Sequence, residues 1–289
     1  MRRFNRLTPY LFALPAVVVV IALMIYPTVY TGYMSLHSTQ ESLTKLSFVG
    51  LKHFITIFTA DPRAWDALGR SLVYTVLALI FELVLGIILA LLLNRDFRGV
   101  AVVRALCLLP MVATPAAMSL IWMIMFNPTM GVLNYLLGTI GLAPLGWVSD
   151  LRQALASLVL IDIWHGTPFV MLIVLAGLRA VPKEPYEAAM IDGASSIQTF
   201  RYLTLPLIRP AIMVAMMFRF IDAMKIFDQI WIITEGGPGY ATETLYVYTY
   251  KQAFKYLDFG YGSALILAFL GVIIVLSLVF MRARRRKWL

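Results

Sequence analysis

The sequence predicts an all-α integral membrane protein with six transmembrane helices. Of its 289 residues, 61% are hydrophobic and only 13% are charged, and the mean hydropathy is +0.84. Soluble domains contain roughly 45–50% apolar and about 25% charged residues, so this chain lacks the polar surface to fold in water. The composition therefore excludes a soluble enzyme, a disordered regulator and a disulfide scaffold; its one cysteine, Cys107, cannot form an intrachain disulfide.

Six segments contain the roughly 20 apolar residues that a membrane-spanning helix requires. They are Pro9–Ser35, Ser71–Leu93, Ala105–Phe126, Gln153–Leu178, Pro210–Ile233 and Gly262–Met281. The first follows three arginines, as a signal peptide would. Its apolar stretch is too long for one and no small-residue cleavage site follows, so we predict a retained helix.

The positive charges predict the orientation of these helices. Fifteen of the 24 Lys and Arg residues lie in the two termini and in loops 94–104 and 179–209, whereas seven lie in the other loops. Because basic residues concentrate on the cytoplasmic side, both termini are predicted to be cytoplasmic. The net charge of +9 is therefore explained mainly by the orientation of the protein in the membrane and not by nucleic-acid binding. The basic tail over 282–289 is interpreted as an anchor of this orientation, and lipid binding is the alternative.

The loop between the fourth and fifth spans predicts a compact helical elbow. Pro182 and Pro185 suit the first turn of a short helix over Tyr186–Ile191, and Gly193 can supply the left-handed residue that ends it. Ser195 or Ser196 can then cap a second short helix that reaches about Tyr202. Pro206 and Pro210 are predicted to bound the entry to the fifth span.

The same loop carries residues at the spacing of a known motif. It reads Glu187-Ala188-Ala189, then Asp192-Gly193-Ala194, then Phe200 and Leu205-Pro206. This pattern closely resembles the EAA motif of ABC importer permeases. The resemblance implies a type I importer permease fold, in which the elbow is the coupling helix that docks in a cleft of a cytoplasmic ATPase. It implies that Glu187 anchors the ATPase, that Ala188 and Ala189 permit close packing, and that Asp192 and Gly193 form the turn.

A second resemblance narrows the family. Residues 227–245 contain a Thr-x-Gly-Gly-Pro stretch that begins at Thr234 and leads into a Thr-x-Thr sequence. This stretch looks like the carbohydrate-uptake permeases related to the maltose system, in the subunit that pairs with a second permease. The resemblance implies a five-helix permease core over 67–281 that includes the EAA loop at 182–210. A first helix and a periplasmic segment over 1–66 precede the core, and the basic cytoplasmic tail over 282–289 follows it.

The resemblance also implies partners. The chain has no Gly-x-x-x-x-Gly-Lys-Ser/Thr phosphate loop, so it is not expected to hydrolyse ATP itself. The chain is therefore predicted to be a permease and not an enzyme, and ATP and magnesium would bind to a partner ATPase. Its three histidines lack metal-ligand spacing, so no metal site is predicted. The implied partners are a second homologous permease subunit, two copies of an ABC ATPase, a periplasmic or lipid-anchored solute-binding protein and the lipid of the bacterial inner membrane. The implied cargo is a sugar or polyol.

Ionisable side chains inside the spans are candidates for the substrate pathway, because charges in a membrane are costly and usually functional. One helical face of the fourth span carries Asp162, His165, Gly166 and Phe169, and one face of the fifth carries Arg219, Asp222, Ala223 and Ile226. In permeases that resemble the maltose system, positions at these offsets from the EAA motif line the sugar site. Carboxylates and Arg form strong hydrogen bonds to hydroxyl groups, which suits such a site.

A structural interpretation of the same charges stays open. Arg219 with Asp222, and Lys225 with Asp228, have the spacing of ion pairs within one helix, which would make the fifth span tolerable in a membrane. Glu82, in the second span, is interpreted as a polar residue of helix packing.

Two other functions stay open as well. An ABC permease for another cargo, such as glycerol phosphate, would use Arg219 and Lys225 to bind an anion. A proton-coupled secondary transporter would use Asp162, His165 and Asp222 and would need no ATPase. An intramembrane enzyme is disfavoured, because the sequence shows no nucleophile–base pair and no metal motif.

Overall fold

A computed structural model describes residues 8–39 and 46–285, which are almost entirely helical. Five helices are long and apolar enough to cross a membrane, and a pair of shorter helices, bent by 93°, is a candidate for a sixth span. The predicted helical membrane fold is therefore confirmed. Of the residues that anchor the predicted topology, those at 2, 3, 6, 286 and 287 lie outside the described residues.

Fourteen α-helices follow one another within the described ranges. In chain order they are α1 (Thr8–Val20), α2 (Tyr26–Ser35), α3 (Lys52–Thr59), α4 (Pro62–Leu93), α5 (Val100–Val112), α6 (Pro115–Met125), α7 (Val132–Thr139), α8 (Ala154–Arg179), α9 (Glu184–Ile191), α10 (Ser196–Gln198), α11 (Leu205–Met224), α12 (Asp228–Thr234), α13 (Leu245–Tyr250) and α14 (Phe259–Arg285). A two-residue antiparallel hairpin joins β1 (His37–Ser38) to β2 (Ser47–Phe48). Short π-helical segments link α1 to α2, α10 to α11, and α13 to the turn that precedes α14.

The chain divides into two compact units, and the first comprises Met1–Trp65 and Tyr248–Leu276. In this unit Asp61 ties the start of α4 to two tyrosines. Its Oδ1 accepts a hydrogen bond from the Ala64 backbone N–H at 3.0 Å, and its Oδ2 accepts from the hydroxyls of Tyr248, at 2.7 Å, and Tyr261. Burial, followed by the hydrogen bond to Asp61, raises the pKa of Tyr248 well above its ordinary value. Asp61 thus caps α4, which begins at Pro62 rather than at the predicted Ser71.

The second unit comprises Asp66–Val247 and Ser277–Leu289, and α8 lies at its centre. Of the most apolar stretch of α8, 61% is buried, and the helix packs against α5 and α11. One apolar cluster joins α4, α8 and α11; its members include Ala90, Val174 and Ile208. A second cluster, around Phe126 and Ile230, joins α6, α8 and α12. Burial of these apolar side chains fixes the helices that carry the candidate site.

The third predicted span is not one helix, and the prediction of a continuous helix over Ala105–Phe126 is wrong. Ala113 and Thr114 both adopt extended backbone, with ψ of 135° and 132°, between α5 and α6. Thr114 precedes Pro115, whose ring disfavours helical geometry in the residue before it. The chain therefore turns by 93° at this point.

The fifth predicted span, Pro210–Ile233, also differs from the observed helices in where it begins and ends. The helix starts at Ser196 and continues through a π-helical segment, Thr199–Thr204, into α11, so the boundary predicted at Pro206 and Pro210 is wrong. Pro206 is the second residue of α11 and directly follows the π-helical segment. Residues 225–227 then interrupt the helix before α12.

Replacing Asp61 by Ala is expected to lower the free energy of unfolding by about 2 kcal/mol, because a helix cap and two tyrosine hydrogen bonds are lost together. Chemical denaturation of the detergent-solubilised protein measures the change. Asp66→Ala is the matched control, since Asp66 is an exposed carboxylate in the same helix. Equal stability of the two variants would contradict the role of Asp61.

Candidate functional site

A single arginine occupies the middle of the second unit. Arg219, on α11, is 4% exposed and donates from Nε to Glu82 Oε2 at 2.8 Å and from Nη2 to Glu82 Oε1 at 2.7 Å. Glu82 lies on α4 and is fully buried. The two bonds form a bidentate ion pair, the geometry for which the planar guanidinium is best suited.

Two further carboxylates complete the surroundings of Arg219. Its Nη2 donates to Asp162 Oδ1, on α8, at 2.9 Å, and its Nη1 donates to Asp222 Oδ2 at 2.7 Å. Asp162 is 2% exposed, whereas 66% of the Asp222 side chain is exposed. One guanidinium therefore links three helices, and we call Arg219 with Glu82, Asp162 and Asp222 the charge cluster.

Gly166 makes room for this cluster. A Cβ atom at position 166 would lie 2.4 Å from Glu82 Oε1 and 2.6 Å from Arg219 Nη2, closer than real Cβ atoms approach. The ion pair thus passes directly against the backbone of α8. Any larger residue at this position would force the two side chains apart.

A cavity of about 320 Å³ opens beside the charge cluster. It lies where α6 begins, α11 ends and α12 begins. The side chains that line it are mostly polar or aromatic. They are Pro115, Asp162, His165, Arg219, Asp222, Lys225, Ile226, Phe227, Asp228, Gln229 and Tyr246. Helix ends that meet at a polar cavity within a membrane segment are typical of solute sites in transporters.

Five of the eight predicted pathway residues line this cavity, namely Asp162, His165, Arg219, Asp222 and Ile226. Three do not. Gly166 packs on the ion pair, Ala223 is buried, and Phe169 packs edge-on against Phe218 with ring centroids 6.2 Å apart. The part of each residue in solute transport stays a prediction.

The break after α11 brings in residues that helical periodicity missed. Phe227, Gln229 and Tyr246 line the cavity because the chain turns at residues 225–227 and again before α13. The predicted Arg219–Asp222 pair is present, but Lys225 and Asp228 do not share a helix. For Glu82 the only signal in the sequence was a carboxylate within an apolar span. That signal could not identify its partner, Arg219, which lies 137 residues away in the chain.

One carboxylate oxygen in the cavity lining is open to a further donor. Asp162 Oδ2 is buried and has no hydrogen bond within the usual distance. The Tyr74 hydroxyl, which donates to Gln229 Oε1 at 3.3 Å, lies close enough to Asp162 to interact with it as well. A buried acceptor without a close partner costs free energy, so Asp162 Oδ2 can accept a hydrogen bond from the Tyr74 hydroxyl or from a solute.

The elbow that precedes α11 is closed by local hydrogen bonds. Gly193 has φ of +71°, and its N–H donates to Met190 O while the Ala194 N–H donates to Ala189 O, which ends α9 in a Schellman motif. Ser195 and Gln198 form a reciprocal capping box that starts α10. The predicted helix–turn–helix is confirmed in its first helix and its turn.

Most of the predicted coupling residues are accessible on the elbow. Glu187 lies in the first turn of α9, and Ala188, Asp192 and Gly193 are exposed, whereas Ala189 is half-buried. Large apolar side chains beside them are also exposed. They are Met190, Ile191, which is 87% exposed, Ile197 and Tyr202. Exposed apolar side chains clustered in this way are typical of a protein-binding surface.

The fold and the elbow define a membrane subunit of a transport system. Residues 82–287 match the family described as "Binding-protein-dependent transport system inner membrane component", and the chain belongs to this family. The predicted resemblance to ABC importer permeases is thereby confirmed. The chain is a permease rather than an enzyme, and a proton-coupled secondary transporter is no longer a candidate.

Several relatives cover nearly the whole chain. A probable ABC transporter permease of Sinorhizobium fredii is 41% identical and covers 96% of this chain and 89% of its own length. The trehalose/maltose transport system permease of Thermococcus litoralis is 33% identical, with coverage of 96% and 93%. The trehalose transport system permease of Mycobacterium tuberculosis is also 33% identical, with coverage of 97% and 90%.

The fold also matches a solved transporter. A chain in the crystal structure of a bacterial ABC transporter involved in the import of the acidic polysaccharide alginate has a TM-score of 0.84 to this chain at 22% identity. The match covers 96% of this chain and 94% of that one. The similarity shows that the fold is that of an ABC importer permease.

Replacing Arg219 by Gln is expected to lower the free energy of unfolding by about 3–5 kcal/mol, because it leaves the buried carboxylates of Glu82 and Asp162 without a cation. The double variant E82Q/R219Q should regain part of this loss, since one of the two charges is then removed. Denaturation of the solubilised protein gives the free energy of unfolding of the unaltered protein, the single variant and the double variant. A single variant as stable as the unaltered protein would show that the cluster does not stabilise the fold.

Proposed function

We propose that this chain forms one half of the membrane pathway of a sugar or polyol importer and pairs with a second, homologous permease. The cavity beside the charge cluster carries this proposal. It combines carboxylates, an amide and aromatic rings, among them Asp162, Gln229 and Tyr246. Hydroxyl-rich solutes are recognised by such acceptors and by stacking on ring faces.

The names of the relatives support a carbohydrate cargo. Two of them are permeases of trehalose or trehalose/maltose systems, and the structural neighbour belongs to a transporter involved in the import of the acidic polysaccharide alginate. A solute-binding protein, periplasmic or lipid-anchored, would deliver the cargo to the outer face. The chain would sit in the bacterial cytoplasmic membrane with both termini in the cytoplasm.

The elbow is the proposed contact with the ATPase. Its exposed apolar side chains, such as Met190 and Ile191, would be covered by one of two ATPase copies, and Glu187 would supply a polar anchor at the amino end of α9. ATP and magnesium would bind to the ATPase and not to this chain. Closure of the two ATPase copies would then move the elbow.

A continuous helix offers the mechanical link from elbow to cavity. The chain is helical without interruption from Ser196, directly after the elbow turn, to Met224, and Arg219 and Asp222 lie near its end. At 1.5 Å per residue, the distance from Ser196 to Arg219 is about 35 Å. A displacement of the elbow would therefore reach the charge cluster through one continuous helix.

Replacing Gly193 by Val is expected to reduce solute uptake at least about tenfold, because a β-branched residue is strained at φ of +71° and distorts the coupling surface. Glu187→Ala should act in the same direction through loss of the anchor. The assay is uptake of radiolabelled trehalose by cells that carry the whole transporter, together with co-purification of the ATPase.

The matched control is Asp96→Asn, which changes an exposed carboxylate in loop 94–104, outside the elbow. It should leave both uptake and co-purification unchanged. If both elbow variants take up trehalose and retain the ATPase as the unaltered transporter does, the coupling role is refuted.

A further inference from the structure

We propose that Glu82 sets the charge selectivity of the cavity, favouring neutral solutes over anionic ones by neutralising and orienting Arg219. Glu82 is a positioning residue, because it does not line the cavity and acts only through the guanidinium that does. This inference rests on the proposed function, in that it takes the cavity as the solute site.

The first argument is that the donors of Arg219 are already in use. Four of the five N–H groups of a guanidinium donate here to carboxylates, two to Glu82 and one each to Asp162 and Asp222. An entering anion would have to compete with carboxylates that are already held at 2.7 to 2.9 Å. The guanidinium of Arg219 therefore holds the surrounding carboxylates in place and has little capacity left to bind an anionic solute.

The second argument is the sum of charges at the site. Apart from His165, the ionisable side chains that line the cavity are three carboxylates, Asp162, Asp222 and Asp228, and two cations, Arg219 and Lys225. Glu82 adds a further negative charge directly behind Arg219. At the buried end of the cavity, beside Asp162 and Arg219, this excess repels an anion, whereas a neutral polyol meets only hydrogen-bonding groups.

The third argument is that the arrangement is held rigidly at Glu82. This side chain is fully buried, accepts from both N–H groups on one edge of the guanidinium, and lies directly against the backbone of Gly166. Asp222 is largely exposed, so water screens its charge. Glu82 is therefore the carboxylate whose charge acts most strongly on Arg219.

The experiment compares two sugars that differ in one group. The assembled transporter, with both permease subunits and the ATPase in lipid nanodiscs and without a binding protein, is titrated with glucose and with glucuronate. Thermal stabilisation gives an apparent Kd for each sugar. Glucose carries a hydroxymethyl group where glucuronate carries a carboxylate, so the ratio of the two Kd values reports charge selectivity and not overall stability.

Unaltered transporter is expected to prefer glucose by about tenfold or more, and Glu82→Gln to lower that preference by about tenfold. Glu82→Asp, which keeps the charge, should retain most of the preference. Asp96→Asn, which removes a carboxylate from an exposed loop, is the control for net charge and should leave the ratio unchanged.

The double variant E82Q/R219Q tests the mechanism even if the single variant does not assemble. If Glu82 cancels the charge of Arg219, removing both should leave the ratio within about threefold of that of the unaltered transporter. A double variant that binds glucuronate as well as glucose overturns the proposal, as does an unchanged ratio in Glu82→Gln. No stabilisation by either sugar in any form would overturn the cavity as a sugar site, and this inference with it, while the elbow experiment still tests the permease role.

Discussion

The arrangement of the second unit depends on one buried cation that has to be compensated. An isolated guanidinium in the interior of a membrane protein is costly, and here the cost is offset by two buried carboxylates from other helices. Glu82, Asp162 and Arg219 can meet only if α4, α8 and α11 pack in one register. The glycine at position 166 is part of the same constraint, because the ion pair occupies the space of its missing side chain.

The same constraint links the cluster to the proposed coupling. Arg219 and Asp222 lie near the end of a helix that starts directly after the elbow, so under this proposal a displaced elbow would act on a residue that three helices hold in place. The geometry of the cavity beside it would then change together with the packing of α4 and α8. Secondary-structure elements that have two arrangements can carry coupling over such a distance, and the proposed mechanism assigns this part to the uninterrupted helix.

Besides the charge cluster, the cavity is formed by residues at interruptions of the helices. The extended residues Ala113 and Thr114 and the turn at residues 225–227 free backbone groups that a lipid-facing helix would have to satisfy. Such irregular backbone is tolerated at membrane depth where it lines a polar cavity. Pro115 and Phe227 each lie at one of these breaks and both line the cavity, which fits that rule.

The sequence by itself determined the membrane class, most of the spans, the elbow and the family, because each depends on composition or on short-range pattern. Hydropathy requires only about 20 residues in a row, and the cap at Ser195 and the turn at Gly193 are local. Only the tertiary structure decided where helices break. Pro110 and Pro210 lie within helices, whereas the helix ends before Pro115. It also decided which carboxylates hold Arg219, since Asp222 is three residues away but Glu82 is 137, and helix packing alone brings that pair together.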